Sequence, residues 1–166
     1  HGIAHGKRVQ ALGGAKNHAI VMPDADMDRA VANISESLFG CAGQRCLAGS
    51  VVVAAGKAYE PFREKLLTAA KDLRLGYGLE PGVTMGPVIS AKHKEKVLSY
   101  VEAGRKDGAT LLLDGRTTKV EKHPRGHFVG PTVFDGVQPD MTIGKEEIFG
   151  PVAAVSHVSN LDEGIE

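Results

Sequence analysis

Apolar positions along this chain alternate between two rhythms, a helical spacing near 3.6 and short continuous runs, which predicts helices interleaved with strands. Met27, Ala30, Val31, Ile34 and Leu38 fall on one helical face. Pro23-Asp24-Ala25-Asp26 supplies a cap with acidic first-turn residues, and Gly40 ends the pattern. Val51 to Ala55 is wholly apolar and reads as a buried strand. A second helix is expected from Tyr59 to Leu73, with Pro61 tolerated in its first turn and Phe62, Leu66, Leu67 and Ala70 on one face. A third runs from Ala91 to Asp107, carries a partial stripe of Val97, Tyr100, Val101 and Ala103, and stops at Gly108.

Shorter runs complete the picture. Lys7 to Leu12 and Ala19 to Met22, separated by Gly13-Gly14, predict two strands joined by a tight turn. Thr110 to Leu113, Phe128 to Phe134 (interrupted at Pro131) and Val152 to Val158 are further strands, and Asn160 caps a final helix. Gly76 to Pro87 is a glycine- and proline-rich surface loop, Gly115 to Gly126 a polar hairpin or excursion, and Met141 to Pro151 another loop. Strands alternating with helices predict an α/β fold, a three-layer α/β/α sandwich with a mostly parallel sheet.

Composition narrows the function. The 166 residues, 42% hydrophobic, suffice for one domain with a substantial core. Twenty basic and twenty acidic residues cancel, so bulk charge attracts neither nucleic acid nor a membrane surface. Two cysteines, five positions apart, argue against a disulfide framework and for a reducing compartment, cytoplasmic or a mitochondrial matrix. The seven histidines lack cysteine or acidic partners at ligand spacing, so no metal is expected. Lys92-His93-Lys94-Glu95-Lys96 reads as a solvated helix face. A start at His1 and a stop inside an opening helix predict a piece of a longer polypeptide.

The candidate chemistry lies in Phe39-Gly40-Cys41-Ala42-Gly43-Gln44-Arg45-Cys46-Leu47-Ala48-Gly49-Ser50. Cys46 follows an arginine, which favours thiolate, and nearby glycines allow close approach of a substrate. Cysteine is also among the most buried residue types, so an inert core thiol competes with a nucleophile on local grounds.

Five segments taken together resemble the aldehyde dehydrogenase superfamily over nearly the whole chain. They are Leu12-Gly13-Gly14, Gly43-Gln44-Arg45-Cys46, Met85-Gly86-Pro87, Pro131-Thr132-Val133 and Glu147-Ile148-Phe149-Gly150-Pro151. The likeness is to the catalytic domain alone, without the N-terminal dinucleotide-binding domain. Ala11 to Ala19 and Phe39 to Cys46 are most similar to the methylmalonate-semialdehyde dehydrogenase branch, which acylates coenzyme A.

The resemblance implies an NAD-dependent oxidation in which Cys46 is the nucleophile and its backbone N–H one oxyanion donor, the second donor being an asparagine upstream of residue 1. It implies that Arg45, helped by an upstream arginine, binds the distal carboxylate of a small aldehyde, with a structural ion pair as the alternative. Glu147 would hold the nicotinamide ribose hydroxyls, Phe149 would sit near the nicotinamide, and Leu12, Gly13 and Gly14 would shape the cofactor-site floor or form a plain turn. Glu146 is expected to be solvated and Cys41 to be a packed small thiol. The superfamily forms dimers and tetramers, so a homodimer or homotetramer is expected.

One departure carries physical weight. Hydrolytic members place a glutamate before Leu-Gly-Gly as general base, and Ala11 stands there instead. Losing such a base costs roughly 10²- to 10⁴-fold in rate. A coenzyme A thiolate needs less help than water, so the departure fits thioester transfer to coenzyme A. The competing expectations are a hydrolytic aldehyde dehydrogenase, an inert folding or association module, and a cysteine hydrolase for which no base histidine stands out.

Overall fold

A computed structural model describes residues 1–166. Five strands form one sheet in the order β1-β2-β5-β4-β3, with β1 Asn17–Val21, β2 Gly49–Ala55, β3 Thr110–Leu113, β4 Thr132–Asp135 and β5 Val152–Val158. Neighbours β1, β2, β5 and β4 run parallel, and β3 joins antiparallel to β4 at the edge. The helices are α1 Met27–Phe39, α2 Tyr59–Lys71, α3 Ala91–Lys106, α4 Thr142–Lys145 and α5 Leu161–Ile165. No helix is long and apolar enough to cross a membrane.

Local signals explain the boundaries. Asp26 accepts the Arg29 N–H at 3.1 Å and starts α1. Ser90 does the same for His93 at the head of α3, and Asn160 for Glu163 at the head of α5. Register then sorts the faces: Val51 pairs with Ala154 and Ala154 with Phe134, so these three point the same way, and Val53 joins them two residues on. Gly104 of α3 packs against Phe134, and Gly164 of α5 against Val53. Val52, Ala54 and Val155 point to the opposite face and are fully buried there beneath α1 and α2, which pack on each other. The predicted α/β/α layering with a mostly parallel sheet is therefore the observed one.

Three expectations need correction. Residues 7–16 form no strand and are mostly exposed. Val9 and Leu12 find nothing to bury against, so Gly13-Gly14 leads into β1 without a partner strand folding back on it. Between Phe128 and Phe134 the ladder begins only at Thr132, because Pro131 has no N–H to contribute. The Met141 to Pro151 loop contains α4, whose Thr142 N–H donates to the distant Asp107 carboxylate at 2.7 Å. That cap joins residues 35 positions apart and leaves no local trace in the sequence.

Candidate active site

Helix α1 delivers the chain into a turn whose backbone is forced. Cys41 and Ala42 both have positive φ, at 52° and 53°, and Gly43 follows at 69°. Non-glycine residues in the left-handed region cost free energy, so the surrounding structure must hold them there. A Cβ on Gly43 would sit 2.2 Å from the Gly150 carbonyl oxygen. Only glycine lets the thiol loop and the Glu147 to Pro151 segment touch. Cys41 itself is exposed, correcting the expectation of a packed thiol, because the left-handed turn rolls its side chain outward while burying Ala42.

Gln44 ties this loop in two directions, donating to the Cys41 carbonyl at 3.2 Å and accepting the Ile89 N–H at 2.9 Å. Arg45 turns back onto α1, where its guanidinium donates to the carbonyls of Glu36 and Ser37 and lies 3.8 Å from the Glu36 carboxylate. In this arrangement it adds a side-chain donor to the last turn of α1, where the Glu36 carbonyl also accepts the Gly40 N–H. Cys46 is exposed. Asn17, the first residue of β1, holds the loop through its side-chain amide, which donates to the Cys46 carbonyl at 2.8 Å and the Ala48 carbonyl at 3.1 Å. The Cys46 N–H has no partner within the chain. Asn33, Glu36, Ser37, Gln44, Arg45 and Leu47 surround the thiol in an open depression of about 620 Å³.

Across the Gly43–Gly150 contact, Glu147, Ile148 and Phe149 share a narrow crevice with Asn17, Gly43 and Arg45. The Glu147 carboxylate accepts no hydrogen bond from the chain. Lys16 lies close by and donates to the Glu146 carbonyl at 2.8 Å. Burial lowers the Lys16 pKa to about 8, against the opposing pull of Glu147 and Glu146. Phe149 also has positive φ, 58°, and its carbonyl accepts from His93 Nε2 at 2.6 Å.

His93 is thus half-buried and bonded into the site rather than solvated. Helix α3 turns it inward between exposed Lys92 and half-buried Lys94, and sequence periodicity did not distinguish it from them. Glu146 is exposed as expected, yet accepts the Tyr100 hydroxyl at 2.7 Å, and that bond pushes Tyr100 up to about 12.

The structure brings Cys46, Arg45, Glu147 and Phe149 to one region. Leu12, Gly13 and Gly14 are exposed just before it, Gly14 at φ 86°, and it is Ala15 that reaches the crevice. Ala11 is exposed as well. Asn17, Lys16, His93 and Glu36 were not anticipated as site residues. Asn17 alone left a signal, an amide at the mouth of a strand, beside a motif already of interest. Chemically, an accessible thiol with a free N–H beside it can attack a carbonyl and stabilise the resulting oxyanion. An unpartnered carboxylate nearby can bind a diol.

The profile described as "Aldehyde dehydrogenase family" matches residues 2–166. The chain is 55% identical over 162 residues to malonate-semialdehyde dehydrogenase of Halalkalibacterium halodurans, covering 98% of this chain and 33% of that protein. Among solved structures, it superposes with TM-score 0.94 and 41% identity on a methylmalonate-semialdehyde dehydrogenase from Sinorhizobium meliloti 1021 complexed with NAD, covering 98% of this chain and 33% of that one. Methylmalonate-semialdehyde dehydrogenase from Oceanimonas doudoroffii gives TM-score 0.92 and 48% identity, over 98% of this chain and 34% of that one. The chain therefore spans about a third of the length of the curated relatives it matches.

Proposed function

The chain belongs to the aldehyde dehydrogenase family, and from that premise we propose that the whole protein oxidises malonate or methylmalonate semialdehyde with NAD and coenzyme A, releasing acetyl-CoA or propionyl-CoA and carbon dioxide. The observation that carries this reading is the exposed Cys46 thiol with an unbonded N–H at the lip of the Glu147 crevice. The Cys46 thiolate adds to the aldehyde carbon, forming a C–S bond and an oxyanion that the Cys46 N–H is free to receive. NAD, when bound, would supply the acceptor for the hydride lost from that carbon. A thioester on Cys46 is left behind.

This chain's residues fit such a cofactor. Glu147 has an unpartnered carboxylate for two ribose hydroxyls, and the His93 bond fixes the backbone that carries Phe149. The coenzyme A thiolate then attacks the thioester carbon and Cys46 leaves as thiolate, ready for another turn. In the β-carboxylated acyl group, the electrons of the C–CO₂ bond pass into the thioester as an enolate, which takes a proton. Arg45 lies beside the thiol, and a guanidinium suits a carboxylate. Occupying it with substrate requires its contact with Glu36 to give way. Active-site completion and a homodimeric or homotetrameric assembly belong to the whole protein.

A second reading rests on one observation: Glu36 puts a carboxylate into the depression that holds Cys46. It would serve as the base that Ala11 lacks, activating water to release free acid. Product analysis of the whole enzyme separates the two readings. Acylating chemistry gives acyl-CoA and requires coenzyme A for turnover beyond a single acylation. Free acid released at full rate without coenzyme A, and lost on Glu36→Gln, establishes the hydrolytic route and overturns the acylating one.

A further inference from the structure

A second pocket, away from the thiol, lies between the Gly76 to Pro87 loop and the Gly115 to Gly126 excursion, and the reaction scheme above gives it no role. Its volume is about 310 Å³, within the range of small-ligand sites. Tyr77, Pro87, Pro124 and Phe128 give it flat apolar walls, and Lys122 and Arg125 stand at it as cations. The His123 ring lies between two others, its centroid 6.1 Å from that of Tyr77 and 6.3 Å from that of Phe128.

The charge balance points to an anion. Neither Lys122 nor Arg125 forms an ion pair within the chain. The nearby carboxylate of Glu80 is already engaged by His123 Nε2 at 2.9 Å. The walls are also built: a Cβ on Gly126 would fall 2.2 Å from the Phe128 ring, so glycine is what allows that ring to lie under the turn. The Val88 N–H donates to the His127 carbonyl at 3.0 Å and pins the two walls together. Flat apolar surfaces with two uncompensated cations are what a purine carrying phosphate groups requires.

The pocket is mechanically joined to the thiol loop. Pro87, on its wall, is two residues from Ile89, whose N–H donates to Gln44, itself two residues from Cys46. Taking 3.8 Å per Cα step, the wall and Cys46 lie within about 25 Å of one another. That upper bound is of the order of the reach of a diphosphate and pantetheine arm. Resting on the acylating reading, we propose that this pocket holds the phosphorylated adenosine end of coenzyme A while its thiol reaches Cys46.

The test uses the whole enzyme and the exposed pair Lys122→Ala/Arg125→Ala, with coenzyme A, 3′-dephospho-coenzyme A and pantetheine as acceptors. The expected result is a KM for coenzyme A raised about tenfold or more, for two charge-assisted bonds lost. The KM for NAD and kcat at saturating coenzyme A stay unchanged. The penalty shrinks with the dephospho form and vanishes with pantetheine. An unchanged KM for coenzyme A, an equal penalty with pantetheine, or a raised KM for NAD in its place overturns the proposal while leaving the acylating reading intact. A wild type that turns over fully without coenzyme A overturns that reading, and this proposal with it.

Discussion

Replacing Asn17 by alanine removes the one side chain that stitches the thiol loop to the sheet. Its amide donates at 2.8 and 3.1 Å to the carbonyls of Cys46 and Ala48, on either side of Leu47. Each such bond is worth about 0.5–1.5 kcal/mol net, so the pair contributes about 1–3 kcal/mol to holding the loop in place. If the attacking sulfur must occupy that position in the transition state, the same energy appears in the barrier. At 1.36 kcal/mol per decade, kcat/KM of the whole enzyme falls roughly 5- to 150-fold. The assay is steady-state oxidation of the proposed semialdehyde substrate, with urea unfolding of the same variant to measure any global loss. Asn17→Gln restores a donor and should recover part of the rate, whereas Asn17→Asp supplies only acceptors opposite two carbonyls and should not. A change below twofold in Asn17→Ala, with the enzyme folded, would refute the idea that these two bonds position the nucleophile.

Three further outcomes follow from the same geometry. Gly43→Ala forces a Cβ to 2.2 Å from the Gly150 oxygen on a backbone at φ 69°, and should lower stability by about 2–3 kcal/mol in denaturant unfolding while abolishing turnover. Burial lowers Lys16 to about 8 from the usual 10.5, so between those pH values the unfolded chain binds more protons than the native one and stability rises with pH. Lys16→Met should flatten that rise in denaturation midpoints measured at pH 8 and 10, and an unaltered slope would contradict the assignment. Buried Thr132 accepts the Gly115 N–H at 3.1 Å, so Thr132→Val should cost about 1–3 kcal/mol by leaving that donor unsatisfied, and Thr132→Ser, which keeps the acceptor, should cost less.

The helical stripes and apolar runs placed α1, β2, α2, α3 and β5 within a few residues of where they lie. Their reasons are local: an acceptor side chain at the cap, apolar residues at a fixed spacing, a glycine at the end. The same locality misled at Lys7 to Leu12. A strand needs a neighbour, and none pairs with that segment. It also hid α4, whose first N–H is satisfied by the carboxylate of Asp107, just past the end of α3.

Sequence by itself determined that strands and helices alternate and that the family is aldehyde dehydrogenase, and it singled out Cys46, Glu147 and Phe149 as candidates for the chemistry. Only tertiary structure decided the strand order, the antiparallel edge, the outward face of Cys41, and the bonds of Arg45 to α1, His93 to Phe149 and Asn17 to the thiol loop. Hydrophobic period is a property of neighbouring positions and can be read along a line. Which carbonyl a guanidinium, imidazole or amide reaches depends on segments up to 56 residues apart meeting across a packed interior, and no spacing in the chain encodes that meeting.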